Sequence, residues 1–119
     1  LAGRIEWLQA DLGTQPPKED FDLVCSHYVH AAAGPAALLE NLAAAVAPGG
    51  TLLMVGHHPD DAHHAQDPGA HFTAEQAAAG LEPDRWEVLT AETATREAAH
   101  GRNGPIVLTD TVLCARRRR

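Results

Sequence analysis

The chain has 119 residues, 45% of them hydrophobic and 21% charged. That suits one globular domain with a modest core built from Leu, Val, Ile and Ala, because aromatics make up only 4%. The net charge of −7 includes four terminal arginines, Arg116–Arg119; without their four positive charges the body stands at −11, which argues against non-specific nucleic-acid binding and leaves the run as a solvated chain end.

No stretch is long enough to span a bilayer, and no signal peptide opens the chain. Cys25 and Cys114 each sit in an apolar run, as buried small hydrophobes rather than a disulfide framework. A cytoplasmic, reduced setting is expected.

Arg4–Ala10 reads as a strand, with Ile5 and Trp7 alternating against Glu6 and Gln9. Gly13–Asp20, with Pro16-Pro17, is an extended linker. Phe21–Ser26 is a continuous apolar run of the kind buried on both faces of a sheet. Pro35 fits the first turn of a helix, Leu38, Leu39, Leu42 and Val46 follow its period, and Pro48-Gly49-Gly50 stops it. Thr51–Gly56 is a second buried strand, so Phe21–Gly56 forms a strand–helix–strand unit whose natural solution is a right-handed parallel crossover.

His57–His71 is polar and reads as a loop. Thr73, with Gln76 three residues on, makes a capping box for a short helix to about Gly80. Trp86–Thr95 and Pro105–Arg116 close the chain as a hairpin around Ala98–Gly104. Trp7 and Trp86 are expected as core anchors. The alternation of strand and helix indicates α/β.

Three segments together resemble class I S-adenosylmethionine-dependent methyltransferases. Trp7-Leu8-Gln9-Ala10-Asp11-Leu12 resembles the end of that fold's third strand. Phe21–His30 resembles the fourth strand and the loop behind it, and Leu42–Gly56, through Ala47-Pro48-Gly49-Gly50-Thr51, the helix, turn and fifth strand. The terminal hairpin matches the last two strands. The glycine-rich turn and the later acidic residue, which in the family cradle the cofactor and bind its ribose, are not in this sequence. The resemblance therefore implies a partial Rossmann-like methyltransferase fold, with residues 1–119 as the C-terminal part of a single domain. Its sheet would be mainly parallel with a C-terminal antiparallel hairpin.

The family's strand order is 3-2-1-4-5-7-6, which places two absent strands between Arg4–Ala10 and the rest. The linker Gly13–Asp20 reaches at most ~27 Å. A gap of three strand spacings, about 14 Å, and a return along a strand of ~17 Å give a diagonal of roughly 22 Å, which it can cover. It is too short for an adjacent parallel crossover of about a dozen residues. The expectation is a piece of a longer polypeptide.

The resemblance implies S-adenosylmethionine as cofactor, with Asp11 accepting from the adenine amino group and Leu12 against the ring. A strand-end turn is the plain alternative for Asp11. Ser26, His27 and Tyr28 would flank the cofactor's methionine part, with Tyr28 packing on the sulfonium. His27 or His30 could act as general base. A helix-entry loop with Tyr28 partly buried is the structural alternative.

His57, His58, Asp60, Asp61, His63, His64 and His71 are plausible metal ligands by type. Pro59 and Pro68, and the lack of a ligand pair at helical spacing, favour a polar connector, with no metal and with His57 or His58 near an acceptor pocket. Asp110 is expected to face outward on the hairpin. The implied activity is methyl transfer to an unidentified, small-molecule acceptor in the intact enzyme, with the fragment alone inactive. A histidine-rich metal-binding module and a non-catalytic α/β interaction domain are the alternatives. No membrane or nucleic-acid partner is expected, whereas an open sheet edge would favour a homodimer or domain swap.

Overall fold

The computed structural model describes residues 3–15, 20–61, 68–99 and 104–119. Among the described residues its elements are β1 (Phe21–His27), α1 (Pro35–Ala44), β2 (Val46–His57), α2 (Ala74–Ala79), β3 (Trp86–Ala99) and β4 (Pro105–Arg117), with a 3-10 turn at Pro68–Ala70. The strands form a single sheet in the order β1-β2-β4-β3. β1 and β2 run parallel with α1 as crossover, and β4 is antiparallel to both its neighbours. This is the 4-5-7-6 half of the order expected from the resemblance.

The hairpin could offer either strand to β2, and composition decides. β4 carries Leu108, Leu113 and Ala115, all buried, whereas β3 is rich in Glu and Thr and mostly exposed. The polar strand therefore takes the edge. β2 stops at the pair His57–Asp110, so Pro105–Thr109 and Thr95–Ala99 continue as a two-stranded arm. The expected hairpin loop is narrowed by β3 reaching Ala99; residues 100–103 lie outside the described ones.

One face of the sheet is covered. Leu52 and Met54 of β2 and Leu113 and Ala115 of β4 pack with Leu38, Leu39 and Leu42 of α1, and with Phe72, Ala77 and Leu81 around α2. Thr73 builds the expected capping box: Gln76 N–H donates to Thr73 Oγ1 at 3.1 Å, and Thr73 N–H donates to Gln76 Oε1 at 2.9 Å. The other face meets no described helix. Its β1 residues Leu23 (61% exposed), Cys25 and His27 are open to solvent. The reading of Phe21–Ser26 as buried on both faces is corrected accordingly, as is Cys25 as a buried thiol. Both cysteines are free, and Cys114 is half-buried.

Three further expectations change. Arg4–Ala10 is not a strand, and Trp7 is 87% exposed rather than a core anchor. A strand persists only where a neighbour completes its hydrogen-bond ladder, and no described strand lies alongside. Trp86 is buried as expected. The helix ends at Ala44, not beyond Val46. Ala45 N–H closes the last turn on Leu42 O, and Val46 pairs with Phe21, so Pro48-Gly49-Gly50 lies inside β2. There the register jumps between Phe21–Val46 and Leu23–Thr51, a bulge that Gly49, at φ 83°, permits.

The start of the expected linker is also not extended: Thr14 and Gln15 N–H both donate to Asp11 O, and Pro16–Glu19 lie outside the described residues. Among the described residues, no helix is long and apolar enough to cross a membrane.

Candidate functional site

The parallel pair brings the carboxyl ends of β1 and β2 side by side, with His27 opposite Val55. In open α/β sheets ligands bind at this edge. Here β1 is followed directly by Tyr28, whose N–H donates to Val55 O at 2.8 Å and whose φ of 57° is left-handed. A bulky residue in that region costs about 1–3 kcal/mol and persists only where surrounding contacts enforce it. The contacts are visible: Tyr28 OH donates to Asp110 Oδ2 at 3.0 Å, and its ring lies 4.9 Å from that of His57.

Asp110 arrives from β4, opposite His57. Its side chain is only 7% exposed. Arg96 of β3 reaches it from the edge, Nε to Oδ2 at 2.7 Å, while its guanidinium carbon stands 5.5 Å from the centroid of the Tyr28 ring. Oδ2 thus receives two donors. Oδ1 is buried and has no hydrogen-bond partner among the described residues. Burial, and then the Asp110 hydrogen bond and charge, raise the Tyr28 hydroxyl above the usual phenol range against the opposing pull of Arg96, so it stays a donor. The bond to Asp110 likewise holds the Arg96 guanidinium above its ordinary value.

Histidines continue the edge. His30 stands edge-on to His57 at 5.3 Å, and His71 lies 5.8 Å from His57. His57 Nδ1 is 3.6 Å from Oδ2 of the buried Asp61. His58 Nδ1 accepts from Asp60 N–H at 3.0 Å, an interaction local to the connector. Among the described residues no group of three or more His, Cys, Asp or Glu side chains could hold a metal ion; His63 and His64 lie outside them. A separate cleft of about 830 Å3 opens between α1 and α2, floored by Leu39, Met54, Phe72 and Trp86, and it reaches this edge only through His71.

The structure therefore gathers Tyr28, His30, His57 and His71, and separates the other sequence candidates. Asp11 is exposed in its own turn, with Oδ1 accepting from Gly13 N–H at 3.0 Å. Leu12 packs toward the core, and its carbonyl accepts from Asn41 Nδ2 of α1 at 2.8 Å. Ser26 is buried on the helix-covered face, and His27 is exposed on the other.

Sequence reasoning misplaced Asp110, which is buried rather than outward-facing, and did not single out Arg96. An ionisable residue within the run Ile106–Cys114 was the signal, because a carboxylate on a buried strand needs partners. Those partners lie 14 and 82 residues away in sequence, which spacing alone does not reveal.

No family model and no curated protein sequence matches the chain. Solved structures do match its fold. TehB from Haemophilus influenzae superimposes at a TM-score of 0.69 with 16% identity over 94% of this chain and 40% of its own. The N-methyltransferase NodS from Bradyrhizobium japonicum WM9 gives 0.62 and 16%, over 95% of this chain and 60% of its own, and that protein has also been solved with S-adenosyl-L-homocysteine. A SAM-dependent methyltransferase from Methanosarcina mazei gives 0.57 and 14%, over 92% and 65%. The chain spans about half the length of the structures it matches. The fold shared is that of class I methyltransferases.

Proposed function

We propose that this chain, which has the fold of the C-terminal part of a class I methyltransferase, supplies the acceptor side of an enzyme that moves a methyl group from S-adenosylmethionine to a small molecule. The observation that carries the reading is the half-sheet order β1-β2-β4-β3, with the carboxyl ends of β1 and β2 side by side and Tyr28 locked between them. In such a site the acceptor's nucleophilic atom displaces the sulfonium-bound methyl in line, and catalysis rests on proximity and orientation.

Tyr28, at the end of β1, would border the methionine part of the cofactor, together with Ser26 and His27 on either face of the strand. His30 would take a proton where the acceptor arrives protonated. Asp11 keeps one carboxylate oxygen for the adenine amine, since its bond from Gly13 uses only the other, and Leu12 follows it against the ring. The cofactor's main cradle is assigned to residues beyond this sequence. The free thiols fit a reducing, cytoplasmic compartment. The unpaired side of β1 and the bare face at Leu23 and Cys25 are where further strands or a second copy would pair.

The test is the coding sequence upstream of Leu1, followed by assay of the longer polypeptide with methyl-labelled S-adenosylmethionine. A glycine-rich strand–helix turn and labelled product support the assignment. An in-frame start codon directly before Leu1 with no coding sequence upstream, or a complete domain without transfer, overturns it. The 119-residue chain alone should bind S-adenosylhomocysteine weakly in calorimetry. A dissociation constant in the low micromolar range would show that the cradle lies within it.

A further inference from the structure

A cation already occupies the carboxyl edge of the sheet. Arg96 places its guanidinium against Asp110 Oδ2 at 2.7 Å and 5.5 Å from the centre of the Tyr28 ring. A buried carboxylate beside an aromatic face is the pairing that receives alkylammonium groups. Arg96 itself is not buried: its side chain is 43% exposed on the edge strand β3. Asp110 is buried and needs a cation beside it, whereas the exposed Arg96 can turn into solvent once another cation takes its place.

Asp110 has more acceptor capacity than its neighbours use. Its side chain is over nine-tenths buried, yet Oδ1 has no hydrogen-bond partner among the described residues. Such atoms are rare in folded proteins and call for a ligand or a water. A primary or secondary amine would supply what is absent: a donor for Oδ1 and a second positive centre for Oδ2. The other groups facing this point are Tyr28, which donates to Asp110, and His57, opposite Asp110 in the sheet, with Asp61 behind it.

We infer that Asp110 and Tyr28 form the recognition site for the amino group of the methyl acceptor, and that Arg96 is an internal occupant which this amine displaces. The inference rests on the methyl-transfer reading and narrows its acceptor to a nitrogen nucleophile. The chemistry is consistent with that choice. The amine, its proton given up to water or to His30 beforehand, uses its lone pair to form the new N–C bond. The S–C bond of S-adenosylmethionine breaks with its pair passing to sulfur, and the positive charge moves from sulfur to nitrogen. A carboxylate held beside that nitrogen stabilises the charge as it develops. A deprotonated hydroxyl acceptor would instead bring a negative charge beside the buried carboxylate and end as a neutral ether, with no positive charge for Asp110 to hold.

The test is a titration of the full 119-residue chain, followed by the backbone amide signals of Tyr28 and Asp110, with benzylamine and benzyl alcohol as matched probes. Benzylamine should bind at least about tenfold more tightly than the alcohol. Asp110→Asn should abolish that preference, and Arg96→Gln should tighten amine binding about threefold or more by removing the competitor. A purely structural ion pair predicts that both variants merely destabilise the fold. Should Asp110→Asn fail to fold, Arg96→Gln decides, because it leaves the carboxylate in place.

Equal binding of amine and alcohol, or amine binding weakened by Arg96→Gln, overturns the inference. If the preference is absent while the longer polypeptide transfers methyl groups, only the acceptor assignment falls. If it is present without any transfer, the amine site stands and the methyl-transfer reading falls.

Discussion

Gly56→Ala tests how the carboxyl edge is held. A Cβ on Gly56 would stand 2.8 Å from Phe72 Cζ and closer still to Cε1, whereas carbon atoms in contact settle at about 3.5–4.0 Å. The ring must therefore withdraw by roughly 1 Å. It has little freedom to do so. Phe72 is 5% exposed, its carbonyl accepts from Thr111 Oγ1 at 2.5 Å, and its N–H donates to His57 O at 3.4 Å. Overpacking of this kind costs about 1–3 kcal/mol, offset in part by roughly 0.5–1 kcal/mol from a stiffer unfolded chain. The net loss, about 1–2 kcal/mol, lowers the melting temperature by roughly 4–8 °C for a chain of this size.

Thermal unfolding by circular dichroism measures it. Phe72→Leu, which shortens the ring away, should restore part of the loss, so that the double variant is at least about 1 kcal/mol more stable than additivity predicts. Gly56→Ala at wild-type stability, or strict additivity in the double variant, would refute the contact. The consequence for the site is direct, since His71 precedes Phe72 and meets His57.

Three other outcomes are expected. Thr73→Ala breaks the capping box of α2 and should cost about 1 kcal/mol in urea unfolding; an unchanged midpoint contradicts the cap. Tyr28→Phe removes one donor to Asp110 and should cost about 1 kcal/mol at neutral pH. It should also change the alkaline limb. The hydroxyl of the folded chain holds its proton beyond the pH, about 10, at which an unfolded tyrosine releases it. Its contribution is therefore complete below pH ~10 and declines above it as the unfolded state alone ionises. The Phe variant should lose less stability over that range, and parallel curves would count against the burial of this group. Finally, a thiol reagent should modify Cys25 quickly and the half-buried Cys114 slowly, with Cys25→Ser removing the fast phase; two equally slow thiols would mean that the bare face is covered in solution.

Local chemistry was legible in the chain. The strand–helix–strand unit, the Thr73–Gln76 box and the closing hairpin depend on side-chain period, caps and turn residues, all of which act over a few positions. Helix ends were less so. Pro48-Gly49-Gly50 looks like a stop signal, but the pairing of Val46 with Phe21 draws the strand past it and leaves the three residues as a bulge.

Alternation in a strand shows which residues share a face, and says nothing of whether that face is covered. Leu23 and Cys25 belong to an apolar run yet stand on the uncovered face, because α1 and α2 both pack on the other. Trp7 carries the side chain of a core anchor and meets no described core.

The sequence by itself determined the strand–helix–strand unit, the short capped helix and the closing hairpin, in that order, whereas the expected strand at Arg4–Ala10 did not form. Only the tertiary structure decided the carboxyl edge. Tyr28 just after β1, Arg96 of β3 and Asp110 of β4 meet through the antiparallel insertion of β4 beside β2. A charge on a strand finds its partners across ladders rather than along the chain, so Asp110 reads as a surface residue until the register that buries it is known.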